Sequence, residues 1–279
     1  MTTPLLEVDD LVVEFPMRGL VAKPFRALHG VSIEIAPGET LGLVGESGSG
    51  KTTLGRAVLG LAPVRGGSIR FAGEDITRAR RSRRRELSRD IQVVFQDPYS
   101  SLNPAMTIGA ILEEPLRVAG VSRREARDRI RELLDQVQLP VDAIDRMPRN
   151  FSGGQRQRIA IARALALRPR MIVCDEPVSA LDLSTQARVL DLLISIQEST
   201  GVAYLFVSHD LSVVRHISHR VAVMYRGEIV EQGDAVQVTD APEHPYTRRL
   251  LMAAPVPDPA RQADRRRERE RFLAEVGGR

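Results

Sequence analysis

The sequence predicts an α/β fold with a mainly parallel central sheet, an antiparallel β region at its N-terminal end and an inserted helical region. Three observations carry this. The runs "TLGLVG" (40–45), "IQVVFQ" (91–96), "MIVCDE" (171–176) and "AYLFVSH" (203–209) are short, continuous and rich in β-branched residues, as strands buried on both faces are. Segments with helical spacing lie between them, at 51–61, 123–139, 154–167 and 183–200. Two earlier segments, "LLEVDDLVVEF" (5–15) and "VSIEIAPGE" (31–39), instead alternate like half-buried antiparallel strands.

Along the chain, the alternating pair comes first and forms the N-terminal β region. The strand 40–45 then runs through a glycine-rich turn into the helix 51–61, and the strand 91–96 follows. The stretch from about 97 to 150 is helix-rich and strand-poor, so it reads as an inserted helical subdomain, extending to about 165 with the helix that follows. Strand 171–176, helix 183–200 and strand 203–209 complete the core. After residue 218, "RVAVMYRGEIVEQG" reads as a hairpin turning at Arg226-Gly227. No internal repeat is present.

Composition narrows the class. At 279 residues the chain has room for one large domain, or a domain plus a subdomain. The single cysteine, Cys174, lies in an apolar run, so a disulfide within the chain and a zinc or iron–sulfur ligand set are excluded, and a cytosolic setting is expected. Forty basic against 36 acidic side chains leave a net charge of +4. The basic excess is local, at 78–89 and 261–271, and both runs read as solvated faces or tails, so no nucleic-acid partner is expected. The N-terminus resembles neither a signal nor a transit peptide, and no apolar run approaches the roughly 18 residues of a membrane span; the chain is not expected to cross a membrane.

The strongest chemistry is in "LGLVGESGSGKTTLGRA". A buried strand enters Gly45-x4-Gly50-Lys51-Thr52 and a helix follows, which is the setting of a phosphate-binding P-loop. Residues Gly45, Glu46, Ser47, Gly48, Ser49, Gly50, Lys51, Thr52 and Thr53 are expected to wrap a nucleoside triphosphate. The glycines admit the polyphosphate close to backbone N–H groups, Lys51 neutralises its outer charge, and the Thr52 hydroxyl suits Mg²⁺. In "MIVCDEP" two carboxylates end a buried strand and point to opposite faces. Asp175 is expected to face Mg²⁺, and Glu176 the attacking water. Gln96, at the end of "IQVVF", suits Mg²⁺ and the water; His209, ending "AYLFVSH", suits the terminal phosphate; Phe15 suits stacking on adenine.

In order, "GESGSGKT", Gln96, "FSGGQ" (151–155), "MIVCDE", "SALD" (179–182) and "SHD" (208–210) resemble the nucleotide-binding subunits of ATP-binding-cassette transporters. The resemblance runs from about residue 5 to 258, and "EQGDAVQVTDAPEHPYTRRLLMAAPVPDP" and "VVFQDPYSSLNP" narrow it to the ATPases of bacterial oligopeptide and dipeptide importers. It implies an ATP-binding region over 1–258 with an importer-type segment at about 228–258, and it leaves 259–279 as a charged tail. It also implies ATP and Mg²⁺, two transmembrane permease subunits, an extracytoplasmic solute-binding protein, a second ATPase subunit, and a place on the cytoplasmic face of the membrane. Importers of nickel, glutathione and some oligosaccharides share this ATPase type. Phe151 replaces the family's usual Leu but leaves Ser152 to Gln155 intact, and a cysteine cluster found in some relatives is absent after Cys174.

The chain thus carries two phosphate cradles. Ser152, Gly153, Gly154 and Gln155 open a helix whose N–H groups and dipole suit a phosphate, although the P-loop already supplies one. The resemblance implies that two such chains pair head to tail, each lending Ser152–Gln155 to the other's ATP, with Ser179, Ala180, Leu181 and Asp182 at the interface.

Overall fold

The computed structural model describes residues 3–17 and 24–253. In chain order, the elements up to the inserted region are β1 (Leu6–Phe15), β2 (Phe25–Ile35), β3 (Thr40–Val44), α1 (Lys51–Val58), β4 (Val64–Phe71), β5 (Glu74–Asp75), α2 (Arg81–Leu87) and β6 (Ile91–Val94). Next come α3 (Pro98–Ser101), α4 (Ile108–Val118), α5 (Arg123–Gln136), α6 (Gly153–Leu165), β7 (Met171–Asp175), α7 (Leu183–Thr200) and β8 (Ala203–Ser208). The C-terminal part holds α8 (Leu211–Ile217), β9 (Arg220–Tyr225), β10 (Glu228–Asp234), α9 (Ala235–Asp240) and α10 (Pro245–Ala253).

Two sheets form. The first is antiparallel with order β2-β1-β4-β5, and the second has order β10-β9-β3-β8-β7-β6. Within the second, β9, β3, β8, β7 and β6 run parallel and only β10 is antiparallel. Every residue of β3 and β8 is buried, as a strand covered on both faces requires, and this explains their unbroken apolar sequence. One apolar cluster joins the first sheet, α1 and one face of β3, β7 and β8. Another joins the opposite face to α4 to α8.

The expected strands and long helices are present. The hairpin turns at Arg226 and Gly227, both with positive φ (48° and 84°), the backbone of a tight turn that matches strand twist. Four features differ from the sequence reading. β2 begins at Phe25 rather than 31, because the residues before Val31 pair with the end of β1. β4 and β5 complete the first sheet although glycine and charge interrupt their alternation. α4 contains Pro115 and so gave a weak helical signal. The arginine run 78–89 is not uniformly a solvated face: Leu87 is buried, and the half-buried Arg84 donates to Val58 O (2.9 Å) and Ile76 O (2.5 Å), tying α2 to the core. Burial lowers the pKa of Arg84, the expected sign for a cation taken from water. The tail 259–279 and the last residues of the importer-type segment lie outside the described residues.

Candidate active site

The sheet order β3-β8-β7-β6 sets the site. The phosphate loop leaves β3, His209 follows β8, Glu176 follows β7 and Gln96 lies just past β6, so all four stand along one carboxyl edge of parallel strands.

The loop is shaped by its neighbours. A Cβ on Gly45 would lie 2.1 Å from the carbonyl oxygen of Met224 on β9, so only glycine lets the loop start this close to that strand. Gly50 precedes α1 at φ +110°, a conformation that side chains disfavour, and there a Cβ would also press on Leu28 and the Ala27 carbonyl. The Ser49 carbonyl accepts the Gly227 N–H at 2.8 Å, tying the loop to the β9–β10 turn.

Lys51 is 5% exposed, and its Nζ donates to the carbonyls of Gly45 (2.7 Å) and Glu46 (2.9 Å). Those two bonds fix the ammonium within the loop. The third proton has only a long contact with Ser49 Oγ at 3.5 Å and is the one available to an anion. Burial lowers the lysine's pKa, while the charges of Glu176, Asp175 and Glu46 oppose that shift.

The two adjacent carboxylates separate as expected. Asp175 turns to the loop, where Oδ1 accepts from Thr52 Oγ1 at 3.0 Å. Burial raises the Asp175 pKa, and the Thr52 hydrogen bond and nearby cations only partly offset it. Glu176 turns the other way, and its Oε2 meets Gln96 Nε2 at 3.1 Å and His209 Nδ1 at 3.2 Å. Glu176 sits at φ +48°, unfavourable for a residue with a Cβ; its N–H is held by Val207 O (3.0 Å) and its carbonyl by Ser179 Oγ (3.1 Å). Gln96 is thereby joined to Glu176, not to the Thr52–Asp175 pair. Phe15 is partly buried against the core beneath the first sheet.

Ser152 caps α6 in a reciprocal box: its Oγ accepts from Gln155 N at 3.3 Å, and Gln155 Oε1 accepts from Ser152 N at 3.0 Å. The box uses acceptors of both side chains and leaves the Ser152 O–H and the Gln155 NH₂ as donors, a polarity suited to an anion. A Cβ on Gly153 would touch Leu181 and Tyr99, and one on Gly154 would collide with Thr185 Cγ2 at 2.2 Å. Gly154 is therefore also needed for packing against α7. The Asp182 carboxylate caps α7 by accepting from Thr185 N (3.0 Å) and Ser184 Oγ (2.7 Å), which pulls its pKa well below the ordinary carboxylate range.

Some contacts have no signal in the sequence reading. Arg156 lies over the Tyr99 ring at 4.3 Å, and Arg163 donates to Ser101 O at 2.6 Å; both bind α6 to the segment after Gln96. Tyr246 Oη accepts the Glu46 N–H at 2.9 Å. The segment holding Tyr246 stood out in the sequence only as part of the importer resemblance.

Comparison with known proteins identifies the family. The ABC transporter family model matches residues 28–179, and the oligopeptide/dipeptide transporter C-terminal region matches 230–276. The glutathione import ATP-binding protein GsiA of Pectobacterium atrosepticum is 50% identical over 275 residues, covering 97% of this chain and 43% of that protein. The same protein from Shigella flexneri serotype 5b is 52% identical over 268 residues, covering 94% and 43%. The chain thus spans less than half the length of these curated relatives. Among solved structures, cbiO1 from Clostridium perfringens, part of the ABC transporter complex cbiONQ, superimposes with a TM-score of 0.76 at 26% identity, covering 85% of this chain and 91% of that one. An ATP-binding cassette solved as a dimer in a post-hydrolysis state with ADP and Pi superimposes with a TM-score of 0.73 at 30% identity, covering 82% and 98%.

Proposed function

The chain belongs to the ABC transporter family, in the branch that carries the oligopeptide/dipeptide transporter C-terminal region, and on that premise we propose that it is the ATP-hydrolysing subunit of a membrane importer for small peptides. The observation that carries the reading is Glu176, poised by Gln96 and His209 beside a preformed phosphate loop. Lys51 and the loop N–H groups bind the phosphates of ATP. Glu176 accepts the proton of the attacking water, while His209 orients that carboxylate and stands where the terminal phosphate leaves. Phosphoryl transfer to water requires mainly positioning and charge stabilisation, which these groups supply.

Thr52 and Asp175 fit Mg²⁺: a hydroxyl and a carboxylate 3.0 Å apart are hard oxygen donors, and this ion is usually held by one or two carboxylates together with substrate phosphates. Gln96 is the third candidate ligand. When bound, the ion neutralises phosphate charge.

Ser152, Gly153, Gly154 and Gln155 serve the ATP of a second ATPase subunit, identical or homologous, in a head-to-tail pair with Ser179–Asp182 at the interface. This reading is supported by the dimeric cassette that the fold resembles. ATP then closes the pair and hydrolysis opens it, a two-state element able to drive a membrane partner. The helical region, about 97–165, faces two transmembrane permease subunits, and an extracytoplasmic binding protein delivers the solute. Among the described residues no helix is long and apolar enough to cross a membrane. Docking on the permeases holds the chain at the cytoplasmic face. Peptide is favoured as the cargo by the C-terminal region, and glutathione, the solute in the names of the GsiA relatives, is itself a tripeptide. The test is reconstitution in vesicles with a permease pair and a solute-binding protein of this importer branch: ATP-dependent uptake of a labelled di- or tripeptide that needs the permeases supports the reading, and uptake without them overturns it.

A further inference from the structure

We propose that Tyr246 is a positioning residue for the phosphate loop, through which the C-terminal region sets the nucleotide affinity of the site. The inference rests on the nucleotide-binding role proposed above.

A relay of hydrogen bonds leads to it. Glu231 on β10 accepts from the backbone N–H groups of Glu243 (2.8 Å) and His244 (3.1 Å), fixing the turn before α10. His244 Nδ1 accepts from Tyr246 N at 3.1 Å, which fixes the first turn of that helix. The Tyr246 ring is 2% exposed and lies 4.2 Å from the Tyr225 ring, centroid to centroid, so the last strand before the hairpin turn fixes its direction. Its hydroxyl oxygen then accepts the Glu46 N–H at 2.9 Å.

Glu46 is the residue whose carbonyl takes Lys51 Nζ at 2.9 Å. One peptide segment therefore faces Tyr246 with its N–H and Lys51 with its oxygen. Fixing one end fixes the place of the ammonium that meets the phosphates. Burial raises the phenol's pKa, so the group stays uncharged over the working range and meets the Glu46 N–H through an oxygen lone pair. Glu231, His244 and Tyr246 all lie in the part of the chain that matches the oligopeptide/dipeptide transporter C-terminal region. That region is thereby joined to the ATP site by direct contact.

The experiment uses the full chain with Tyr246→Phe, which keeps the ring and removes the acceptor, and Tyr225→Phe as a control that keeps the same ring pair and the Tyr246 hydroxyl. In nucleotide-free protein, Tyr246→Phe is expected to speed amide hydrogen exchange at Glu46 on the order of tenfold, as for a lost hydrogen bond, with the melting temperature lowered by no more than about 4 °C. Its Kd for Mg-ATP is expected to rise about fivefold and KM with it, while kcat stays within about twofold. Tyr225→Phe is expected to match the wild type. Unchanged exchange at Glu46 in Tyr246→Phe would overturn the tether. So would faster exchange spread evenly over α10, because Tyr246 would then act only in packing. Wild-type chain that binds no ATP would instead overturn the proposed function, and the exchange at Glu46 would still decide the tether.

Discussion

His209 Nδ1 lies 3.2 Å from Glu176 Oε2, joining the residue after β8 to the residue after β7. Gln96 reaches the same oxygen from β6 at 3.1 Å, so three neighbouring strands converge on one carboxylate oxygen. Glu176→Gln keeps the shape of the side chain and removes the base. Turnover is expected to fall by about 100- to 10,000-fold while ATP still binds, and the chain should accumulate as an ATP-stabilised dimer. Phosphate release and size-exclusion chromatography with ATP check this; near-normal hydrolysis by the variant contradicts the assignment.

Lys51 carries a pKa lowered from the ordinary 10.5, chiefly by burial. The charged ammonium is what attracts phosphate, so nucleotide affinity is expected to decline as pH rises through that lowered value, earlier than an ordinary lysine would allow. Lys51→Ala should bind ATP far more weakly and lose this alkaline dependence. Calorimetric titrations of both proteins across the alkaline range measure it. Equal affinities, or the same pH dependence in both, would exclude the role.

Asp175 has the opposite displacement: burial raises its pKa above the ordinary 3.8. Mg²⁺ needs the ionised form, so proton and metal compete for this carboxylate and the magnesium concentration required for hydrolysis is expected to rise as pH falls. Asp175→Asn should lose magnesium dependence first, while metal-free nucleotide binding declines less. A magnesium titration of hydrolysis at several pH values, followed in both proteins, decides the matter; an unaltered magnesium requirement in the variant counts against Asp175 as a ligand.

Sharing of sites between two subunits is open to complementation. One preparation carries Lys51→Ala and the other Gly153→Asp, each expected to be inactive alone. Gly153 is the position to choose because its Cβ makes ordinary contacts of 3.6 Å and 3.8 Å, whereas one on Gly154 would strike Thr185 and damage its own chain. A mixed pair has one site with both lesions and one with none, so ATP-dependent dimer trapping should return on mixing. If the native pair is heterologous, the lesions are divided between the two partners. Demonstrated subunit exchange without recovery would show that Ser152–Gln155 acts on its own chain's nucleotide.

The parallel sheet was legible because burial on both faces leaves unbroken apolar runs such as those of β3 and β8. Glu176 and His209 were legible as candidates because each stands at the end of such a run. β4 and β5 were not, since a strand in a half-exposed sheet tolerates Gly66 and Gly67 and hides its alternation. The role of Arg84 was hidden for a different reason: a charge run reads as solvated until tertiary structure supplies carbonyls for one of its members. The Tyr246–Glu46 contact joins residues far apart in sequence, and neither side chain type announces the other.

The strand that carries the phosphate loop also has a bearing on biosynthesis. β3 lies between β8 and β9, and both neighbours are translated long after it, at 203–208 and 220–225. As the polypeptide leaves the ribosome, β3 therefore waits with both edges unpaired while the whole helical insertion is made. ATP has no finished pocket to enter until the 220s have emerged, so nucleotide cannot stabilise the nascent chain before that point. Prematurely terminated products would expose an apolar strand and depend on chaperones or proteases for clearance.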